Sequence, residues 1–520
     1  MTIHNHQKRS NSWSNVIANA IGRLWIIIGN ILMFPVYLNI LGQEKFGIIA
    51  LLTSVTAIFT LFDFGISPVL ARELNNQTRT PENRLDLLKT IELPYLSILL
   101  IIVCASAIAP SVWLEALIKD PLEPDGGETS LRLVLFVAVA QLVFTFYIAA
   151  ISGTEHQIRS NILSLSTGLL RNVGVAVPLL IYPKINIFLW WQLSVTIFAT
   201  LVARRWLIAI LRPDTCSGKG KFSIANLCEI LPAAEGSFLL ATAATINLNF
   251  DRLFVSRLEG LASVGEYTVV ATFAQLIFVS QLPITMAATP RMVRAITIKD
   301  LHSYEYIMTC TRTAVGIVAT IMMVIFVWHG PQLIGLWSGG AITPSNISGY
   351  SGWLFMGAAA SAFSAIWHSV AVAHQDYSFG RLYIYSMLFV IPFYYCSTAF
   401  HGVAGAAAAW GSTQLVVMLA YRYWVGRRLL KDRPSLATPW AGIACGALSA
   451  LFACLLFGDI EAAKNSLIWT LATIAIEITI SGILTILTIG LIVRRIDNTD
   501  GLGHFFHALI VKLYRMPSRS

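Results

Sequence analysis

Residues 37–75 read YLNILGQEKFGIIALLTSVTAIFTLFDFGISPVLARELN. From Gly47 to Leu70 the run is apolar for about the 20 residues that carry a helix across a bilayer. It closes on Ser67-Pro68-Val69-Leu70-Ala71-Arg72, which leads directly into a basic segment. Comparable windows follow one another outward from this stretch, from Asn15 to Val493, and fourteen spans are predicted. Among them are the first (Asn15 to Leu41), second (Gly47 to Leu70), fifth (Asn161 to Ile181), seventh (Ile230 to Phe250), eighth (Val264 to Ala288), eleventh (Leu382 to Phe400), twelfth (Gly402 to Tyr421) and last (Leu467 to Val493).

Composition agrees. Of the 520 residues, 56% are hydrophobic and only 12% are charged, about half the charge of an ordinary globular chain, which excludes a soluble enzyme. The net charge of +9 is explained by topology. With the N-terminus in the cytoplasm, 27 of the 36 Lys and Arg fall on cytoplasmic loops and helix ends, 7 on the other side, and Arg23 and Arg171 within spans. No nucleic-acid partner is needed. The seven cysteines form no CxxC or Cys/His cluster, so they read as small apolar side chains, with no metal or disulfide framework implied. The polar start and full-length first span read as an anchor and not as a removable signal. No extramembrane segment is long enough for a domain. The tail from Leu502 to Arg515 reads as an interfacial amphipathic helix or a frayed end.

The Ser-Pro step recurs. Thr289-Pro290-Arg291-Met292-Val293-Arg294 closes the eighth span as residues 67–72 close the second, and Leu41-Gly42 through Phe46-Gly47 is echoed by Glu259-Gly260 through Gly265-Glu266-Tyr267. A repeat of six helices leaves both halves in one orientation, as transporters built from parallel repeats have them. The expected fold is therefore an all-α polytopic membrane protein of about fourteen helices. Two pseudo-symmetric six-helix lobes, 1–212 and 229–426, are joined by a cytoplasmic linker, 213–228. A helix pair, 427–500, and the basic tail, 501–520, follow.

Ionisable side chains within a span cost on the order of 2.5 to 3.5 kcal/mol at mid-helix, so each needs a partner or a cavity. Asn15, Asn19, Arg23 and Asn30 on the first span, Asn161, Ser164, Gly168 and Arg171 on the fifth, and Glu235, Thr242, Thr245 and Asn249 on the seventh, ending at Asp251, form polar stripes. These suit either a hydrated cavity or tight interhelical packing. Arg171, about ten residues into its span, is the foremost cavity candidate, against a structural ion pair. Arg23 faces either a lumen or the interface. Asp63 and Glu92 read as an ion-pair cluster with Arg72 that holds the second and third helices together. Glu235 serves either proton or cation coupling or structural pairing. Glu477, in the last span, reads as a packing hydrogen-bonder. Gly218-Lys219 lacks the rest of a phosphate-binding loop, and no metal-binding carboxylate pair of a glycosyltransferase or polymerase is visible.

The stretch at 37–75, with its Leu41-Gly42 and Phe46-Gly47 turn, Asp63-Phe64-Gly65 step and Arg72-Glu73 exit, resembles the amino-terminal signature of the Wzx-type polysaccharide flippases. These belong to the multidrug/oligosaccharidyl-lipid/polysaccharide exporter superfamily. NLNFDRLFVSRLEGLASVGEYTV, residues 247–269, resembles their seventh-to-eighth helix passage. The resemblance implies a flippase, not an enzyme, in a bacterial inner membrane with both termini cytoplasmic. Its substrate would be a polyprenyl-pyrophosphate-linked oligosaccharide repeat for O-antigen or exopolysaccharide assembly. It implies alternating access, coupling to H+ or Na+, no cofactor, and a polysaccharide polymerase and chain-length regulator as partners. On that reading Arg23, Arg171, Asn19, Asn30 and Asn249 contact substrate, and Asp63, Glu235 and Asp251 are coupling or ion-pair residues. The alternatives are a cation-coupled drug antiporter of the same superfamily, or a membrane polymerase or ligase.

Overall fold

The structure, a computed structural model, describes residues 29, 32–75, 81–108, 127–154, 156–211, 224–374, 376, 378–429, 447–452, 454 and 467–495. Among them there is no strand. The helices are α1 (Leu32–Leu41), α2 (Gln43–Phe59), α3 (Ile66–Asn75), α4 (Pro81–Ile108), α5 (Gly127–Gly153), α6 (Gln157–Asn172), α7 (Ala176–Ile181), α8 (Ile185–Leu211), α9 (Ile224–Glu259), α10 (Leu261–Val279), α11 (Leu282–Thr297), α12 (Leu301–Trp337), α13 (Pro344–Ala373), α14 (Phe379–Arg428) and α15 (Leu467–Arg495). Nine spans among the described residues are long and apolar enough to cross a membrane, and Leu32–Leu41 and Thr470–Thr485 are shorter apolar helices. The chain is an all-α, multi-pass membrane protein. The 50 residues of α14 would extend about 75 Å as one rod, more than twice the apolar thickness of a bilayer. It turns at Gly402, whose φ of 60° and ψ of −144° lie where only glycine is at ease, so it holds the predicted eleventh and twelfth spans.

Three predicted spans are interrupted. The second breaks into α2, a 3-10 turn over Thr60–Asp63, and α3, with Phe64 and Gly65 at φ 49° and 71°. The fifth breaks after Asn172 into α6 and α7, and the eighth divides at Ser280-Gln281 into α10 and α11. Apolar windows report burial in lipid and carry no backbone angles, so each of these looked continuous.

The chain divides into two compact units. The first comprises Met1–Thr272 and Gly380–Trp410. Its interior centres on α5, where Phe146, Tyr147, Ala150 and Ile151 are fully buried and Phe146 stacks on Tyr95 of α4 at 4.5 Å. The starts of α2 and α10 meet in this unit. Gly42 and Gly260 precede them at φ 79° and 93°, each accepting a backbone hydrogen bond from four residues on, Phe46 and Val264. Gly47 packs on the Leu261 backbone, Gly265 packs on Gln43 and Phe46, and Gln43 Nε2 donates to Glu266 Oε1 at 3.3 Å. The contact of Gly47 with Leu261 repeats, with the copies exchanged, as that of Gly265 with Gln43, so the two sequence repeats meet through a local two-fold relationship at these positions.

The second unit comprises Phe273–Phe379 and Gly411–Ser520. Here α12 and α13 pack closely, with Phe326 against Phe355 and the Phe355 ring against Gly330. Asp300 caps α12, its Oδ1 accepting from Ser303 N at 3.0 Å. Ser449 Oγ lies 2.7 Å from Thr485 Oγ1, and Ser481 Oγ donates to Ser449 O. Small polar groups thus join α15 to the preceding helical stretch, as they do between membrane helices generally.

Candidate functional site

Of the sequence-predicted residues, Asn19, Arg23 and Asn30 lie outside the described residues. Glu235 lies on α9, but its side chain is outside the described set. Arg171, Asn249, Asp63 and Asp251 are all in the first unit.

Arg171 occupies the last turn of α6, where the helix breaks inside an apolar span. A break at that depth exposes carbonyls that must be satisfied by protein. Trp191 Nε1 donates to Leu170 O at 2.7 Å, Gln192 Nε2 to Arg171 O at 3.0 Å, and Tyr37 OH to Asn172 O. Three consecutive carbonyls are thereby closed by side chains of α8 and α1. Arg171 Nε donates in turn to Gln192 Oε1 at 2.6 Å. That bond fixes the stem of the guanidinium, and its cationic charge also lies at the helix end where the macrodipole favours it. No acidic partner to Arg171 appears among the described residues, so the ion-pair alternative finds no support there.

A second polar set joins α9 to α14. Asn247, almost fully buried, donates to Tyr383 OH at 2.6 Å and accepts at Oδ1 from Tyr394 OH at 2.9 Å. Asn249 Nδ2 turns back to Thr245 O of its own helix at 3.0 Å, and Thr245 Oγ1 lies 3.5 Å from Thr60 Oγ1. Asp251, buried, accepts from Tyr267 OH at 2.6 Å through Oδ2. Its Oδ1 and the Nε of neighbouring Arg252 are buried without a hydrogen-bond partner among the described residues. Sequence reasoning missed Asn247 and its two tyrosines. The stripe at 242, 245 and 249 drew attention to one face of the helix, and Asn247 lies off it.

The expected cluster of Asp63, Glu92 and Arg72 does not form. Asp63 accepts at Oδ2 from Ser67 N at 3.1 Å and at Oδ1 from Ser67 Oγ and Tyr95 OH, capping α3 and joining it to α4. Arg72 is exposed and pairs with its neighbour Glu73 at 3.2 Å. Glu92 is buried and pairs instead with Arg204 of α8 at 2.6 Å and Lys89 at 3.2 Å, and accepts from Tyr147 OH at 2.6 Å. Spacing along the chain placed Glu92 near Arg72. The packing of α4 against α5 and α8 turned it the other way.

In the second unit Glu477 does make a packing contact, to His329 Nε2 at 3.0 Å. Cys454 Sγ lies 3.7 Å from Glu477 Oε2, a Cys/His/Glu grouping that chain separations of 125 and 23 residues concealed.

Among solved structures, the chain is similar to one described as the lipid II flippase MurJ in an inward closed conformation, at a TM-score of 0.69 and 14% identity, covering 93% of this chain and 99% of that one. It is also similar to an inward-facing multidrug resistance MATE transporter of the MOP superfamily, at 0.58 and 16%, over 80% of this chain and 100% of that one. A third is the MATE multidrug transporter DinF-BH, at 0.56 and 13%, over 80% and 94%. At these identities the likeness is one of fold. No curated protein matches the chain by sequence. The family model described as "Polysaccharide biosynthesis protein" matches residues 12–296, more than half of the chain and the part that holds both copies of the repeat, and the chain belongs to that family.

Proposed function

We propose that the chain is a flippase that carries a polyprenyl-pyrophosphate-linked oligosaccharide repeat from the cytoplasmic to the outer leaflet for surface polysaccharide assembly, by alternating access. The observation that carries this reading is the placement of Arg171, a fixed guanidinium at a helix break inside the membrane with no acidic partner among the described residues. A pyrophosphate is a multivalent anion, and a planar guanidinium held by its Nε still offers its terminal nitrogens as a fork. Membership in a polysaccharide biosynthesis family and a fold shared with a lipid II flippase support the same class of cargo.

In this reading lobes 1–212 and 229–426 alternate about the linker 213–228. Both termini lie in the cytoplasm, in the inner membrane of a bacterium. Arg23, Asn19, Asn30 and Asn249 contribute to a hydrated path for the headgroup, and a polymerase with a chain-length regulator takes up the product. Coupling to H+ or Na+ falls to Asp251 or Glu235. Asp251 keeps one carboxylate oxygen unbonded among the described residues, whereas both oxygens of Asp63 are taken.

The test compares Arg171→Ala and Arg171→Lys in a strain lacking the native gene. Surface glycan falls to background in the first and is partly restored in the second, with trapped intermediate on the inner leaflet. Unchanged export by Arg171→Ala at wild-type protein level would falsify the role of that residue. A drug antiporter of the same fold predicts drug sensitivity on deletion and normal glycan; a polymerase or ligase predicts short lipid-linked chains trapped on the outer leaflet.

A further inference from the structure

His329 on α12, Glu477 on α15 and Cys454 on the helical stretch before α15 are among the most buried polar groups of the second unit, with 1%, 0% and 0% of their surfaces exposed. One donor atom from each, an imidazole nitrogen, a thiol sulfur and a carboxylate oxygen, lies within 4.8 Å of the other two. Three ionisable groups from three helical stretches converge in the buried interior of this unit, and each is costly to bury there alone.

The donor set selects its ligand. Zinc-type cations bind imidazole nitrogen and carboxylate oxygen at about 2.0 to 2.2 Å and thiolate sulfur at about 2.3 Å, which places tetrahedral ligands roughly 3.3 to 3.8 Å apart. The Nε2 to Oε2 and Sγ to Oε2 separations, 3.0 and 3.7 Å, lie near that edge length, within reach of small side-chain rotations. Magnesium and calcium require more oxygen than one carboxylate supplies. Mixed nitrogen, sulfur and oxygen ligands suit a cation of intermediate softness.

We propose that His329, Cys454 and Glu477 form a binding site for a zinc-class divalent cation. Bound there, the ion fastens α12 to α15 and to the helical stretch containing Cys454, which Ser449 already joins to α15. Three protein ligands leave a fourth position for water or a further donor.

The test uses the full chain, purified in detergent and stripped with a chelator. Cobalt(II) serves as the spectroscopic probe and zinc(II) as the competitor. Wild type is expected to bind one cobalt per chain, with a thiolate-to-cobalt charge-transfer band that zinc abolishes, and to melt at a higher temperature with zinc. Cys454→Ser should lose the band and bind zinc about a hundredfold more weakly or worse, since even outer partners of metal ligands are worth ten- to a hundredfold. Glu477→Gln keeps size and hydrogen bonding, so a purely hydrogen-bonded triad tolerates it. At a metal site it weakens cobalt binding at least tenfold on the folded protein, which makes the result independent of how stable Cys454→Ser is. Absence of the band in wild type, an equal band in Cys454→Ser, or unaltered cobalt affinity in Glu477→Gln overturns the proposal.

Discussion

Gly47 lies directly against Leu261: a methyl group at position 47 would stand 2.0 Å from the Leu261 carbonyl oxygen. In the partner copy of the repeat, a methyl group at Gly265 would stand 3.3 Å from the Gln43 carbonyl oxygen. Position 47 is five residues past the turn glycine of its own copy and Leu261 one past that of the other; Gly265 and Gln43 stand in the same relation with the copies exchanged. The looser echo at Glu259 to Tyr267 thus marks a surface that the two copies use on each other.

The two glycines should not tolerate a side chain equally. At Gly47 the obstacle is backbone that cannot rotate away, so Gly47→Ala is expected to destabilise the first unit by about 3 kcal/mol, the upper range for overpacking. Gly265→Ala requires a shift of only a few tenths of an ångström and should cost about 1 kcal/mol or less. Thermal unfolding of the two variants in detergent checks the order; equal melting temperatures would dismiss the close contact.

Glu92 is buried while Arg204 is about two-fifths exposed, so the pair loses much of its strength to solvent. Glu92→Gln removes the charge yet can still accept from Tyr147, and should destabilise by about 1 to 2 kcal/mol. In a double-mutant cycle, Glu92→Gln and Arg204→Gln should couple by about 1 kcal/mol, whereas Glu92→Gln and Arg72→Gln should be additive.

Tyr394 and Tyr383 hold opposite ends of the Asn247 amide. Removing either hydroxyl strands a buried polar atom, which costs about 1 to 3 kcal/mol. Tyr394→Phe is expected to destabilise more than Tyr383→Phe, because Tyr394 OH serves both Oδ1 and the backbone carbonyl of Asn247. Replacing Asn247 with Leu together with both tyrosines by Phe should recover part of the loss, read by thermal unfolding of the series.

Hydrogen bonds from Ser303 hold the half-buried Asp300 carboxyl below its ordinary value of 3.8. A carboxyl with a folded pKa below its unfolded one stabilises above the unfolded value and loses that contribution as pH falls through the folded one. Hydrogen-exchange protection at the start of α12 should therefore hold steady above about pH 4 and fall below it. In Asp300→Asn, which caps without titrating, the profile should be flat through that range.

Much of the fold was legible because a bilayer demands long apolar windows, and the sorting of Lys and Arg tested where they ended. The interruptions at Phe64, Val173 to Val175 and Ser280-Gln281 were not, since a kinked helix and a straight one have the same hydropathy. For the candidate site, Arg171 stood out as a cation in an apolar span, but Gln192 and Tyr37, which fix its surroundings, look like ordinary helix residues until α8 and α1 are packed beside it. His329, Cys454 and Glu477 escaped notice for a related reason: each alone is a minor polar intrusion, and only tertiary structure makes them neighbours.

The break after Asn172 has a mechanical consequence. With the Leu170, Arg171 and Asn172 carbonyls each tied to a different side chain, the joint between α6 and α7 is spliced to its surroundings and cannot act as a free pivot. Any rocking that carries this segment must drag α1 and α8 along as one block, and the compliance that the proposed alternating access requires has to reside in joints with fewer ligatures.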